Sequence, residues 1–210
     1  MKLYLSSYRI PNLDAFINFV GKKPSDIKMG LILNSKDYKP VEERDLKAKE
    51  LLKYFRNLGF EVEELDLRDY LNDNSSLLKK FSGYDLLWFN GGNTFRLAWT
   101  LSEVQGENLL RQALEKGVIY CGDSAGAIVA GPTLRYYEKT DDPSKTEKII
   151  ENGLGFINFC VLPHWNSEEY GEALKEIKAK LEDDGYKTLS LTDNEFILIE
   201  NGKIINPQNV

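Results

Sequence analysis

The ten residues Val118-Ile119-Tyr120-Cys121-Gly122-Asp123-Ser124-Ala125-Gly126-Ala127 limit the folds open to this chain more than any other stretch. Val118–Cys121 is a continuous apolar run, the composition of a strand buried on both faces, and it ends abruptly at Gly122. Small residues suited to a helix begin directly after Ser124. A strand-to-helix turn this sharp leaves no room for large side chains beside the serine, and Gly122, Ala125 and Gly126 meet that demand. The helix start also directs free N–H groups toward Ser124. A buried strand feeding straight into a helix predicts a parallel sheet with helices packed on it.

The rest of the 210 residues repeats the alternation. Lys2–Ser6, Lys28–Leu33, Phe60–Leu67, Asp85–Phe89 and Phe156–Leu162 have strand composition. Leu13, Phe16, Ile17 and Val20 share one helix face, and Glu42–Leu58 carries an apolar stripe that stops at Gly59. Helices are expected over Thr94–Leu101, Glu107–Lys116, Ala125–Ala130 and Glu168–Leu181. Pro132–Tyr137 has strand-like composition, whereas Glu138–Gly153 is polar, holds Pro143 and predicts a long surface loop. In the tail, Lys187–Leu191 is followed by Glu195–Glu200 and Lys203–Ile205, the last two joined by the hairpin signal Asn201-Gly202. The expected fold is α/β: a doubly wound, mostly parallel sheet covered by helices on both faces, with a C-terminal β-hairpin, in one domain over residues 1–210.

A formal net charge of −6 argues against nucleic acid as the main partner, since phosphate backbones select concentrated positive surface. No stretch reaches the roughly 20 apolar residues of a membrane span, and Met1–Ser7 is too short an apolar run for a signal peptide. Cys121 and Cys160, the only cysteines, sit in apolar runs, which fits a reducing compartment. A cytoplasmic protein, monomer or homodimer, is expected.

Chemistry in such sheets gathers at the carboxyl ends of the strands, here the loops after Phe89, Cys121, Tyr137 and Leu162. Ser124 has the position of a nucleophile, but a serine needs a base to take its proton. The chain has one histidine, His164, at the end of the strand Phe156–Leu162, so it is the sole candidate. An approach of about 2.6–3.2 Å between the two side chains is expected. An acid should orient the imidazole, and the loop between the two offers Glu138, Asp141 and Asp142. The N–H of Ala125, with one from Asn90-Gly91-Gly92-Asn93, would meet a developing oxyanion.

Gly91-Gly92-Asn93-Thr94-Phe95 with Leu97, Gly122-x-Ser124-Ala125-Gly126-Ala127, Pro132-Thr133 and Pro163-His164 together resemble the peptidase E (aspartyl dipeptidase) and cyanophycinase family of serine peptidases. The spacing between the two glycine blocks matches as well. The resemblance implies a three-layer α/β/α fold related to class I glutamine amidotransferases, with serine in place of cysteine, a small peptide substrate, and neither metal nor organic cofactor. It implies Ser124 as nucleophile, His164 as base, Gly92 and Ala125 as oxyanion-hole donors, and Asp141 of Asp141-Asp142-Pro143 as the acid, with Asp142 and Glu138 as alternatives. Aspartyl dipeptidases resemble one another in an arginine downstream of the histidine that pairs with the acidic substrate side chain. No arginine follows His164 here, so peptide hydrolysis is expected without a marked preference for Asp-X dipeptides. Two other readings fit fewer of these residues: a carboxylesterase of α/β-hydrolase type, and a non-catalytic binding protein on the amidotransferase-like fold.

Overall fold

Strand β1 (Lys2–Ser6) shows why the sheet lies in the middle of the molecule. In the computed structural model, which describes residues 1–205, Leu3 and Leu5 enter one apolar layer and Tyr4 the opposite one. Residues 206–210 of the expected domain lie outside the described residues. The same two-residue alternation recurs in β4 (Leu86–Phe89), where Leu87 and Phe89 face the Leu3 side and Leu86 and Trp88 the Tyr4 side. In β5 (Ile119–Asp123), Tyr120 faces the Leu3 side, with Ile119 and Cys121 on the other. Every one of these side chains is buried, each contributing about 1.5–3 kcal/mol for the larger apolar ones. Apolar residues therefore run without interruption along these strands, instead of alternating with polar ones.

Helices α1 (Leu13–Val20) and α2 (Val41–Asn57) cover the Tyr4 side through Phe16, Phe19, Leu51 and Phe55. On the other side lie α3 (Asn74–Phe81), α4 (Thr94–Glu103), α5 (Gly106–Glu115), α6 (Ala125–Val129) and α7 (Gly171–Asp183). The result is the expected three-layer α/β/α arrangement. With β2 (Lys28–Ile32), β3 (Glu61–Glu64), β8 (Phe196–Glu200) and β9 (Lys203–Ile205), the main sheet runs β3-β2-β4-β5-β1-β8-β9. Its first five strands are parallel; β8 runs antiparallel to β1 and β9 antiparallel to β8, forming the C-terminal hairpin, with Asn201 and Gly202 at positive φ in its turn. A separate parallel pair, β6 (Phe159–Leu162) and β7 (Lys187–Ser190), lies beside α6 and α7.

Two local expectations are corrected and one helix is added. Pro132–Tyr137 is not a strand: only Thr133 makes an isolated bridge, to Asn152, and Tyr136 takes a left-handed conformation that leads into a helical turn at Tyr137–Lys139. The strand expected from Phe156 begins at Phe159. Helix α3, capped by Asp73 on the Ser76 N–H, was not anticipated from its eight residues.

Registers bring the site together. Ser6 pairs with Asp123 and Phe89 with Gly122, so Ser7, Asn90 and Ser124 leave the main sheet side by side. Leu162 pairs with Ser190, which sets the loops carrying His164 and Asp193 next to each other.

Candidate active site

Ser124 joins β5 to α6 with φ +50° and ψ −113°, a conformation costing about 1–3 kcal/mol in an L-residue. Close packing enforces it. The Ser124 N–H donates to the Ser6 carbonyl at 3.1 Å, and the Ser124 carbonyl accepts from Ala127 and Ile128 at 2.9 and 3.0 Å. A Cβ at Gly126 would overlap the Phe89 carbonyl, and one at Gly122 the Gly126 carbonyl, so the flanking glycines are required by space. Helix α6 has only five residues, too short for a sizeable macrodipole. What it offers Ser124 is the individual Ala125 N–H.

His164 also has positive φ, +58°, and its N–H donates to Ser7 Oγ at 2.7 Å. Its Nε2 lies 3.0 Å from Ser124 Oγ, within the expected range. Its Nδ1 lies 2.6 Å from Asp193 Oδ1. An ionised carboxylate only accepts, so Nδ1 carries the proton and the Nε2 lone pair faces the Ser124 hydroxyl. Ser7 Oγ donates to the same Asp193 oxygen at 2.7 Å. The imidazole is largely shielded, with 19% of its side chain exposed, whereas the Asp193 side chain is 52% exposed.

None of the three acids expected from the sequence bonds to the imidazole; the structure puts Asp193 there instead. Asp141 turns its carboxylate onto Thr94, accepting from Oγ1 at 2.6 Å and from the N–H. Burial of that carboxyl pushes its pKa up to about 6, although the Thr94 hydrogen bonds and the nearby imidazole pull the other way. Asp142 caps the next helical turn by accepting from the Ser144 N–H at 2.9 Å, which keeps its carboxyl below the usual range. Glu138 is exposed. The expected acids lie between Ser124 and His164, whereas Asp193 follows the histidine by 29 residues. Its position just past a parallel strand was the available clue.

Gly92, at φ +149°, has no space for a side chain, since a Cβ there would press on Ser35 Oγ at 2.6 Å. Among the described residues no backbone carbonyl takes the N–H of Gly92 or of Ala125. Gly92, Ser124, His164 and Asp141 line one cavity of 290 Å³, walled by Tyr38 and Tyr170. This is the lower end of small-molecule pockets. Trp165 lies outside this lining, packed on the core under Lys178. Lys175 and Lys178 pair with Glu172 and Glu182, away from the cavity. Among the described residues no group of three or more His, Cys, Asp or Glu is arranged to hold a metal ion, and no helix is long and apolar enough to cross a membrane. The arrangement can deprotonate a hydroxyl at Ser124 and present two N–H groups to a neighbouring oxyanion.

Similarities to known proteins agree with this geometry. A crystal structure from Listeria monocytogenes EGD-e, named as a candidate peptidase E, shares the fold with a TM-score of 0.80 at 24% identity, covering 97% of this chain and 96% of that one. The uncharacterized peptidase Lin0382 of Listeria innocua is 31% identical over 158 residues, 73% of this chain and 72% of its own length. Peptidase E of Streptomyces coelicolor is 27% identical over 147 residues, 67% of this chain and 59% of its own length. The profile of peptidase family S51 matches residues 40–206, which is most of the chain and includes Gly92, Ser124, Asp141, His164 and Asp193; the chain belongs to that family and is a peptidase.

Proposed function

We propose that the protein hydrolyses short peptides by a serine mechanism through an acyl-enzyme, with Ser124, His164 and Asp193 as its catalytic residues. The observation that carries this reading is the continuous chain from Ser124 Oγ through His164 to Asp193, at 3.0 and 2.6 Å. Ser124 Oγ bonds to the scissile carbonyl carbon while its proton passes to Nε2. The carbonyl oxygen, now negative, accepts from the N–H groups of Gly92 and Ala125. As the C–N bond breaks, Nε2 returns the proton to the departing amine. Water then attacks the ester, losing a proton to Nε2, and that proton goes back to Ser124 Oγ as the acid product leaves. Asp193 holds the Nδ1 proton throughout and stabilises the imidazolium.

The small cavity suits a few residues of peptide better than a folded chain. Dipeptides fall within this class, without a requirement for aspartate. The setting is cytoplasmic, as monomer or homodimer, with no nucleic-acid or membrane partner. The test is Ser124→Ala assayed against a panel of short peptides, with fluorophosphonate labelling of both proteins. The wild type should label at Ser124 and cleave, and S124A should do neither while melting like wild type. Equal turnover by S124A overturns the mechanism.

A further inference from the structure

The turn Asn34–Lys36 follows β2, and because Ile32 pairs with Phe89 it lies beside Asn90 and Gly91. Ser35 is fully buried, with its hydroxyl 2.9 Å from the carbonyl oxygens of both Asn90 and Gly91. Lys36 Nζ donates to Asn90 Oδ1 at 2.6 Å and to the Gly91 carbonyl. Asp123 accepts from the Gly91 N–H and from Asn90 Nδ2, the latter at 2.9 Å. Both backbone polar groups of Gly91 are thus held.

No described peptide bond is cis. In a trans peptide the carbonyl of Gly91 and the N–H of Gly92 point in opposite directions. Anchoring the carbonyl on Lys36 and Ser35 therefore directs the Gly92 N–H away from them; Gly92 and Ser124 line the 290 Å³ cavity together, and also a side cavity of 270 Å³ that reaches Lys36. Glycine on both sides of this peptide makes its rotation sterically cheap, so something must hold it. We propose that Lys36 is a positioning residue for the oxyanion hole: its ammonium group, on the Gly91 carbonyl, holds and polarises the peptide whose N–H meets the substrate oxygen.

The charge that does this can be titrated. Burial lowers the Lys36 pKa to about 8. Asp123 of β5 favours the charged form, while Lys39 near its own turn, Lys47 of α2 and Arg9 of the turn after β1 oppose it. Glu50 of α2, Tyr8 and His164 line the 270 Å³ side cavity with Lys36, and Glu50 is bound by Arg9 and Lys47, at 2.8 and 2.9 Å.

The inference rests on Ser124 as nucleophile. Its test uses the whole chain, wild type, Lys36→Met and Lys36→Arg, and reads two quantities: the rate of Ser124 labelling by a fluorophosphonate, and kcat and KM for a cleaved short peptide. K36M should lower labelling and kcat roughly 10–100-fold with KM nearly unchanged, because the Gly92 N–H that serves the transition state is no longer held in place. Wild-type kcat should fall as pH rises through about 8, where Lys36 loses its proton. K36R, charged over the whole range, should lack that alkaline limb whatever its absolute rate. Labelling and kcat of K36M within about twofold of wild type, or a loss confined to KM, would overturn the proposal. So would an alkaline limb shared by wild type and K36R, a comparison that still decides if K36M does not fold. A wild-type chain that neither labels nor cleaves peptides refutes the nucleophile reading itself, whereas labelling indifferent to Lys36 refutes this inference alone.

Discussion

The two halves of the site are built in different ways. Ser124 and the Gly92 and Ala125 N–H groups belong to the main sheet, where backbone meets backbone and glycines exist because a Cβ would collide. His164 and Asp193 leave the two-stranded β6–β7 sheet at its rim, and side-chain hydrogen bonds place them. Ser7, at the end of β1, ties the halves together: it accepts from the His164 N–H and donates to Asp193, while its neighbour Ser6 accepts from the Ser124 N–H. The hydroxyl is thus positioned by folding itself, and the base by three hydrogen bonds. The Asp193 side chain is half exposed, so replacing it should leave the fold intact, which opens this half to direct testing.

The largest effect in that half is expected at Asp193. Asp193→Asn removes the charge that stabilises the imidazolium and admits the wrong tautomer, so kcat should fall roughly 10²–10³-fold with the melting temperature little changed. The loss is placed below the roughly 10⁴-fold seen for a fully buried triad acid because half of this side chain meets water. Steady-state kinetics with calorimetry would check it, and a loss under about threefold would mean that Asp193 is only a neighbour of the histidine. Ser7→Ala should come next, at roughly 10-fold in kcat, since it leaves the His164 N–H without its acceptor and removes one donor to Asp193 but keeps the 2.6 Å contact in place. If S7A proves as damaging as D193N, the joint matters as much as the acid, and the contrast between the halves weakens.

The contrast also explains what the sequence discloses. The sharp turn at Ser124 is legible because steric exclusion acts on adjacent residues and leaves glycines at fixed spacing. The nearness of His164 is legible by count, as the chain has one histidine, placed at a strand end. Asp193 is not legible in the same way. It reaches His164 through the pairing of β6 with β7, and parallel pairing leaves no mark in the sequence that tells which strand ends meet. Ser7 and Lys36 are hidden for a similar reason: an ordinary serine and an ordinary lysine acquire their roles from strand order. The sheet was legible because apolar runs covered on both faces are hard to mistake, while Tyr136, in a left-handed turn, shows strand-like composition yielding to local geometry.

The smallest effect on rate, and a separate one on stability, is expected at Asp141. Bound to Thr94 rather than to the imidazole, it lines the cavity without holding the base. Asp141→Asn should therefore change kcat/KM less than about tenfold, far below D193N; a loss equal to that of D193N would reverse the assignment of the two acids. Its pKa of about 6, against 3.8 for an unperturbed carboxyl, means that the native state binds this proton more tightly than the unfolded chain. The wild type accordingly gives up stability as pH rises from about 4 to about 6, and it carries the full cost of a buried carboxylate above that window. The neutral amide pays no such cost, so D141N should be the more stable protein at pH 8, by up to about 3 kcal/mol. The advantage should be nearly gone at about pH 4, where the native carboxyl is protonated, and should vanish at lower pH as the unfolded carboxyl also takes up its proton. Denaturant titrations of the two proteins at pH 8 and pH 4 measure this directly. A gap that stays constant with pH would show that Asp141 is as well accommodated ionised as neutral, and that the Thr94 hydrogen bonds offset its burial completely.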